Sequence, residues 1–162
     1  MRLSALREIA AASATPEPGR IGILSIDLEQ FELHLSVSLG VGVSFRTLSP
    51  ASSTRAHHLI VSEYWDVVNG EFVDDRKWDF NFGESQLVAE KNLAETVSSL
   101  LNELCEGCEK VFLVGHTLTF DLKWLDEMKV GRSQGLIECD IARAYRALIN
   151  GGAFANMWEW GR

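Results

Sequence analysis

The feature that most constrains the fold of this chain is an apolar run at residues 21–29 that ends in two acids. The run reads Ile-Gly-Ile-Leu-Ser-Ile-Asp-Leu-Glu, which is typical of a β-strand. Because side chains of a strand alternate between faces, Asp27 and Glu29 point to one side and the apolar residues 24, 26 and 28 to the other. Two carboxylates this close repel each other unless a proton or a cation lies between them. The pair indicates a magnesium or manganese site, although an edge strand that merely ends in acids would look the same.

The next part of the chain predicts an antiparallel meander. Alternating apolar residues over 33–45 predict a long strand, bent or bulged at Gly40 and Gly42. A third strand is predicted from His57 to about Val68, where Asn69-Gly70 is a strong turn signal. Residues 71–73 are expected to form a short hairpin arm beyond that turn.

Three helices alternate with two short strands in the remainder. Leucines at helical spacing predict a helix over 93–104, stopped by Gly107, and the later elements are a strand at 111–114, a helix from about 117, a strand at 136–139 and a helix from Asp140 to about Ile149. The order β-β-β-α-β-α-β-α predicts an α/β domain with a mixed five-stranded sheet at residues 21–150. A frayed leader at 1–20 and an irregular tail at 151–162 are expected to flank it.

Composition limits the classes of partner. The formal charge of −8 argues against binding nucleic acid by a diffuse basic surface, but not against an enzyme whose acids are neutralised by metal ions. No apolar run approaches the ~20 residues of a membrane span. Three cysteines make no disulfide framework, so an intracellular location, cytoplasmic or nuclear, is expected, with a mitochondrial leader as the weaker alternative. Cys105 and Cys108 are interpreted as helix-end packing rather than a redox or zinc pair.

A second candidate site follows the strand at 111–114. Gly115 and His116 lead into a helix whose first turn carries Asp121. Ligands of open α/β sheets bind beyond the carboxyl ends of the strands, where Asp121 could meet Asp27 and Glu29. Asp121 could instead simply stabilise the helix dipole, which is worth roughly 0.3–1 kcal/mol. For His116 the favoured interpretation is a loop imidazole that holds the turn through a hydrogen bond to the backbone.

These residues resemble the first two motifs of the DEDD-type 3′–5′ exonucleases, which have a ribonuclease H-like fold. The middle of the chain is similar, more narrowly, to the fungal ribonuclease H-like domain named for "good for full DEAD-box activity". The resemblance covers about residues 21–150. Its matching segments are Asp27–Glu29, His58–Glu63, Asn69–Val73, Phe80–Ser85, Leu113–His116 and Asp121.

The resemblance implies a site with two divalent ions, Mg²⁺ or Mn²⁺, ~3.5–4 Å apart. Asp27 would bridge the ions, Glu29 would hold the first and Asp121 the second. Leu28, His116 and Phe82 would contact single-stranded nucleic acid, either RNA or DNA. Asp140 is a weaker candidate, since an acid at that position is expected to cap the helix that follows.

The chain departs from the family's pattern near its end. In that superfamily a fourth carboxylate lies on a final helix, four or five residues after a His or Tyr that acts as general base. Here no histidine follows His116 and no aspartate follows Asp140, so the domain is expected to be C-terminally truncated. Loss of a general base typically costs 10²–10⁴-fold, so weak or absent nuclease activity is expected. The alternative is a degenerate nuclease fold that acts as a protein- or RNA-associated adaptor.

Two further expectations concern surfaces. Trp78, Phe80 and Phe82 could stack on single-stranded bases, but the favoured interpretation is that they anchor a long loop onto the core. Loss of the final helix would leave one sheet face partly uncovered, and the domain could then self-associate through that face.

Overall fold

A six-stranded mixed sheet forms the centre of the molecule. The computed structural model describes residues 8, 9, 11, 21–48, 54–131 and 136–150. The strands are β1 (Ile21–Phe31), β2 (His34–Thr47), β3 (Arg55–Val61), β4 (Ser85–Val88), β5 (Lys110–Gly115) and β6 (Leu136–Asp140). The helices are α1 (Glu90–Cys105), α2 (Thr119–Glu127) and α3 (Ile141–Asn150), with a 3-10 turn at Ser62–Tyr64. The strand order is β4-β3-β2-β1-β5-β6, which confirms the predicted α/β ribonuclease H-like class.

The strand that carries the acidic pair is central. β1 runs antiparallel to β2 and parallel to β5. Asp27 lies opposite Gly42 and Glu29 lies opposite Gly40. The register shifts directly after the Glu29–Gly40 pair, so the predicted irregularity at the glycines of this strand is present. Because β1 and β5 are parallel, their carboxyl ends meet at one edge of the sheet.

One face of the sheet packs against α1 and α2. Alternate residues of β1, including Leu24 and Ile26, are buried in this core. The predicted helical stripe of α1 is confirmed, and its buried residues are Leu93, Val97, Leu100, Leu101, Leu104 and Cys105. Gly107 follows with φ +77°, the left-handed conformation that ends many helices.

Two apolar side chains on the opposite face of the sheet are fully buried. Phe112 pairs with Ile23, whose side chain lies on the face away from the core cluster, and Phe112 is fully buried. Ile60 pairs with Gly40, opposite Glu29, and it is also fully buried. The prediction that one sheet face is partly uncovered stays a prediction. Self-association of the domain stays a prediction.

The sheet has six strands where the sequence predicted five. The sequence predicts no strand at residues 85–88, but they pair in parallel with His58–Val61 and form the edge strand β4. The prediction missed β4 because four residues with an exposed Leu87 carry no clear alternation. β3 is also shorter than predicted, because the chain turns into the 3-10 helix at Ser62.

A carboxylate latch replaces the predicted hairpin arm at residues 71–73. Glu32, in the β1–β2 turn, accepts hydrogen bonds from the backbone N–H groups of Gly70, Glu71, Phe72 and Val73 at 2.6–2.9 Å. The side chain of Asn69 adds two bonds to the same turn, to the Gln30 carbonyl and the Glu32 N–H. These donors lower the pKa of Glu32 to about 2.

Other predictions fall partly outside the described residues. Apart from residues 8, 9 and 11, the predicted leader at 1–20 lies outside them, as does the tail at 151–162. In the part of the chain that the structure describes, no helix has both the length and the apolar character to span a membrane. None of the three cysteines, all of them among the described residues, forms a disulfide, and burial raises the pKa of the Cys108 thiol, which suits packing better than redox chemistry.

Candidate active site at the end of the first strand

Asp121 is tied directly to the strand that carries the acidic pair. Its Oδ1 accepts a hydrogen bond of 3.2 Å from the backbone N–H of Leu28. The β1–β5 ladder ends at the pair Leu24–Leu113, so the N–H of Leu28 lies beyond the last strand partner on that side. The carboxylate of Asp121 therefore takes the place of a strand acceptor.

A tight loop allows this contact. A Cβ on Gly115 would lie 2.4 Å from the side chain of Leu118, so only glycine lets the chain turn this closely into α2. Thr117 in the same loop has φ +61°, a strained conformation for a β-branched residue. Its N–H donates to Asp140 Oδ1 at 3.4 Å, which holds the loop against the start of α3.

The three predicted acids influence each other electrostatically. Burial and the negative charges of Asp27 and Asp75 raise the pKa of Glu29, while Lys77 opposes them. Burial also raises the pKa of Asp121; the Leu28 hydrogen bond acts against this and the charge of Asp27 adds to it. Asp27 therefore acts as a like charge on both Glu29 and Asp121, and a cation near the three carboxylates would relieve the repulsion.

A cleft of about 620 Å³ opens beside the acidic pair. On one side it is lined by β1 from Asp27 to Gln30, so Leu28 contributes to its wall. The loop from Asn69 to Arg76, which Glu32 fastens in place, contributes the other side. The sequence did not predict that this loop would border the site.

The donor set has the chemistry that a divalent cation requires. Carboxylate oxygens are the ligands that Mg²⁺ and Mn²⁺ prefer, and burial, with the charge of Asp27 adding to it, raises the pKa of both Glu29 and Asp121. However, among residues 21–48, 54–131 and 136–150 no three His, Cys, Asp or Glu side chains already gather closely enough to hold a metal ion. The acids fit a metal, but a cation would have to draw them together.

Two weaker candidates lie away from the acidic pair. His116 is exposed, and the contact described for its ring is with Thr117 Oγ1 at 3.4 Å rather than with the backbone. Asp140 caps α3 by accepting from the Arg143 N–H at 3.1 Å. Burial alone would raise the pKa of Asp140, but the backbone donors, chiefly those of Arg143 and Thr117, hold it below the ordinary value.

The aromatic loop differs from the favoured interpretation. Phe82 is 79% exposed and Trp78 is 56% exposed, so neither anchors the loop onto the core. Only Phe80 is half-buried, with its ring 5.3 Å from that of His58. The every-second-residue spacing suited a packed strand, but this segment forms no strand and its side chains turn outward.

Three residues near the site were missed. Asp75 acts on Glu29 electrostatically, and Lys77, only 1% exposed, donates its ammonium to the carbonyls of Tyr64, Trp65 and Val67. His58 lies on the acidic face of the sheet, across Gly42 from Asp27. A loop without periodicity gave no signal for Asp75 or Lys77, whereas the two glycines in β2 could have indicated space for large neighbours.

Comparisons with known proteins agree with this architecture. The family model described as "DNA polymerase III subunit epsilon-like, C-terminal domain" matches residues 23–153. The Saccharomyces cerevisiae protein named "Uncharacterized protein YDR514C" is 32% identical over 118 residues, which are 65% of this chain and 24% of that protein. Good for full DBP5 activity protein 2 of the same yeast is 30% identical over 118 residues, 65% of this chain and 21% of that protein. The chain thus spans about a quarter or less of the curated relatives it matches.

Proposed function

Because this chain belongs to the family of DNA polymerase III subunit epsilon-like C-terminal domains, which are ribonuclease H-like DEDD exonucleases, we propose that it binds the 3′ end of single-stranded nucleic acid through a divalent cation and hydrolyses it slowly. The observation that carries the proposal is the hydrogen bond from the Leu28 N–H to Asp121. That bond places the acid of α2 beside the β1 pair, and exonucleases of this family generally use divalent metals.

The three acids have separate roles in this proposal. Asp27 would help to hold both ions, Glu29 would help to hold one and Asp121 the other. When bound, the ions activate water and stabilise charge on the phosphodiester. The chain's own contribution is to hold Asp27 and Glu29 on a central strand and to fix Asp121 through the Leu28 amide.

Substrate contacts are proposed at Leu28 and at two exposed aromatic rings. Leu28 lines the cleft, and the exposed rings of Phe82 and Trp78, which are not among the residues that line it, offer flat faces to unpaired bases. Such stacking is worth ~1–3 kcal/mol per base. His116 is exposed and is proposed to contact the backbone of the strand. With a formal charge of −8, the chain needs the cation to attract phosphate.

Slow hydrolysis is expected because the described metal-binding side chains are not already gathered around one point. The described part of the chain holds no ready-made group of three metal-binding side chains, so part of the cation's binding energy must go into reorganising them. Preorganised charges are the largest source of catalysis in most enzymes. A site that must be drawn together by its ion therefore starts at a disadvantage.

A second candidate function is an adaptor that uses the fold without its chemistry. Trp65, Phe72, Trp78 and Phe82 are all more than half exposed on one segment, a concentration of apolar surface that suits a protein partner. The name of the yeast relative Good for full DBP5 activity protein 2 says that this relative supports the activity of another protein.

Manganese binding separates the two functions. Under the first, Mn²⁺ raises the unfolding temperature of the protein and tightens its binding to a fluorescent single-stranded oligonucleotide, and Asp27→Asn removes both effects. Glu95→Gln, an exposed acid on α1, is the matched control and keeps them. Identical behaviour of wild type and Asp27→Asn in Mn²⁺ would overturn the nuclease proposal and favour the adaptor.

A further inference from the structure

His58 is buried, and one of its two ring nitrogens has no hydrogen-bond partner among the described residues. Only 6% of the residue is exposed, on the sheet face that also carries Asp27 and Glu29. Its Nδ1 is 2.8 Å from Ser85 Oγ, and its ring lies against Phe80. Within the described residues Nε2 has no hydrogen-bond partner. A buried ring nitrogen without a partner is costly, so its presence needs an explanation.

The free nitrogen points at the acidic pair. The position that a Cβ on Gly40 would occupy lies 3.6 Å from His58 Nε2 and 3.6 Å from Glu29 Oε2. The two atoms therefore face the same small space from opposite sides. Gly42 is the next residue of β2 on this face, and it pairs with both Asp27 and His58. Because it is a glycine, no side chain separates those two residues there.

We propose that His58 Nε2 and Glu29 Oε2 share a divalent cation above Gly40, which makes the site a mixed nitrogen–oxygen site selective for Mn²⁺ and other first-row transition ions over Mg²⁺. This rests on the proposed function, since the cation is the one that Asp27, Glu29 and Asp121 attract. The side chains have not yet converged to ligand distance, so binding draws Glu29 and His58 together across the space.

The surroundings of His58 are those of a ligand histidine. Metal-bound imidazoles usually donate their second ring N–H to a neighbouring oxygen, which fixes the tautomer and the ring orientation. Ser85 Oγ is placed to accept that proton from Nδ1, which leaves the lone pair on Nε2 directed at Glu29. Imidazole ligation shifts preference toward transition metals, whereas Mg²⁺ favours an all-oxygen set.

A purely structural histidine would explain the Ser85 bond and the Phe80 contact, but it leaves the unpaired Nε2 in a buried position without a reason. Gly40 keeps side chains out of the space in front of that nitrogen. A Cβ on Gly40 would also lie 2.8 Å from the Leu59 carbonyl, so substituting Gly40 is not a clean test.

The test is pulsed electron paramagnetic resonance of Mn²⁺ bound to the protein without an affinity tag. Wild type is expected to show ¹⁴N coupling from one imidazole, and His58→Asn, whose amide can keep the Ser85 bond, is expected to lose it. His57→Asn is the matched control, because His57 pairs with Val43 and faces the other side of β3. Ser85→Ala should weaken Mn²⁺ binding about 10-fold with the coupling retained, and calorimetry should show Mn²⁺ preferred over Mg²⁺ in wild type only.

The outcomes are distinct. Mn²⁺ that binds in an Asp27-dependent way without ¹⁴N coupling in wild type overturns the role of His58 and leaves the proposed function intact. Absence of any Mn²⁺ binding overturns both. Because the decisive spectrum is that of the wild type, a variant that failed to fold would not obscure the result.

Discussion

The backbone N–H of Leu28 and the carboxylate of Asp121 are hydrogen-bonded at 3.2 Å although 93 positions separate them in the chain. This bond joins the first strand to the first turn of α2 at the point where the β1–β5 ladder has ended. It holds a half-buried acid close to the like charge of Asp27, and burial and that charge both raise the pKa of Asp121.

Asp121→Asn is expected to stabilise the metal-free protein. The amide oxygen can still accept from Leu28, but the charge is gone. Since burial raises the pKa of Asp121 in the folded state, ionising it costs stability as the pH rises above the unfolded pKa of about 3.9. Urea unfolding should therefore show a gain at neutral pH that disappears below about pH 3.5. Asp126→Asn, an exposed acid on the same helix, should change stability by less than about 0.5 kcal/mol.

Glu32→Gln is expected to show the opposite pH dependence. Four backbone donors lower the pKa of Glu32 to about 2, so its stabilising effect is complete above the unfolded pKa of about 4.3 and is lost as the pH falls through the folded value. The unfolding midpoint of the variant should lie below that of wild type at neutral pH, and the two should converge as pH 2 is approached. Glu71→Gln, next to the latch, serves as control; a constant difference across the range would contradict the prediction.

Thr117→Asn should stabilise the loop before α2. Thr117 has φ +61°, which costs a β-branched residue about 1 kcal/mol or more, whereas asparagine adopts this region readily. Calorimetric unfolding should show a gain of about 1 kcal/mol. Thr117→Val, which keeps the branched Cβ and removes the hydroxyl, should show no gain. A gain in both variants would mean that the hydroxyl, not the backbone, is the source.

Lys77→Met should destabilise the fold. The ammonium donates to the carbonyls of Tyr64, Trp65 and Val67, and removing it leaves these acceptors without their donor. The expected loss is about 1–3 kcal/mol in urea unfolding. Lys91→Met, on the exposed side of α1, is the control, expected within about 0.5 kcal/mol of wild type. Equal stability of the two variants would show that water replaces the ammonium at no cost.

Removing the exposed rings of Trp78 and Phe82 tests whether they contact nucleic-acid bases. Trp78→Ala and Phe82→Ala should each weaken oligonucleotide binding by roughly 5- to 150-fold, the equivalent of ~1–3 kcal/mol of stacking. Both rings are mostly exposed, so the unfolding temperature should hardly change. Tyr145→Ala, an exposed ring on α3, should bind as wild type does. If Trp78→Ala and Phe82→Ala also bind normally, the rings serve another partner.

The sequence predicted the part of the fold with strong periodicity. The leucine stripe of α1 and the short buried strand β5 emerged with nearly correct bounds, because amphipathic helices and buried strands leave distinct patterns. The loop at 66–84 has no hydrophobic periodicity. Its hydrogen bonds to Glu32 and the exposure of Phe82 could therefore not be predicted from the sequence. Asp27, Glu29 and Asp121 were placed on the right elements by the rule for strand ends. No functional role is predicted for His58 from the sequence. Its neighbours depend on the register of β1, β2 and β3, which a single sequence does not specify.

β1 pairs with β2, which follows it directly in the sequence, and with β5, which follows much later. This difference has a consequence for folding during synthesis. The hairpin of β1 and β2 can close soon after it leaves the ribosome, whereas Asp121 is added 93 residues after Leu28, a delay of roughly 5–20 s at 5–20 residues per second. During that interval the acidic pair has no counterpart from α2. Under the proposed function, a cation could therefore be held by all three acids only in a chain that has been synthesised as far as α2, and a fragment that ends before Asp121 would lack one of the ligands.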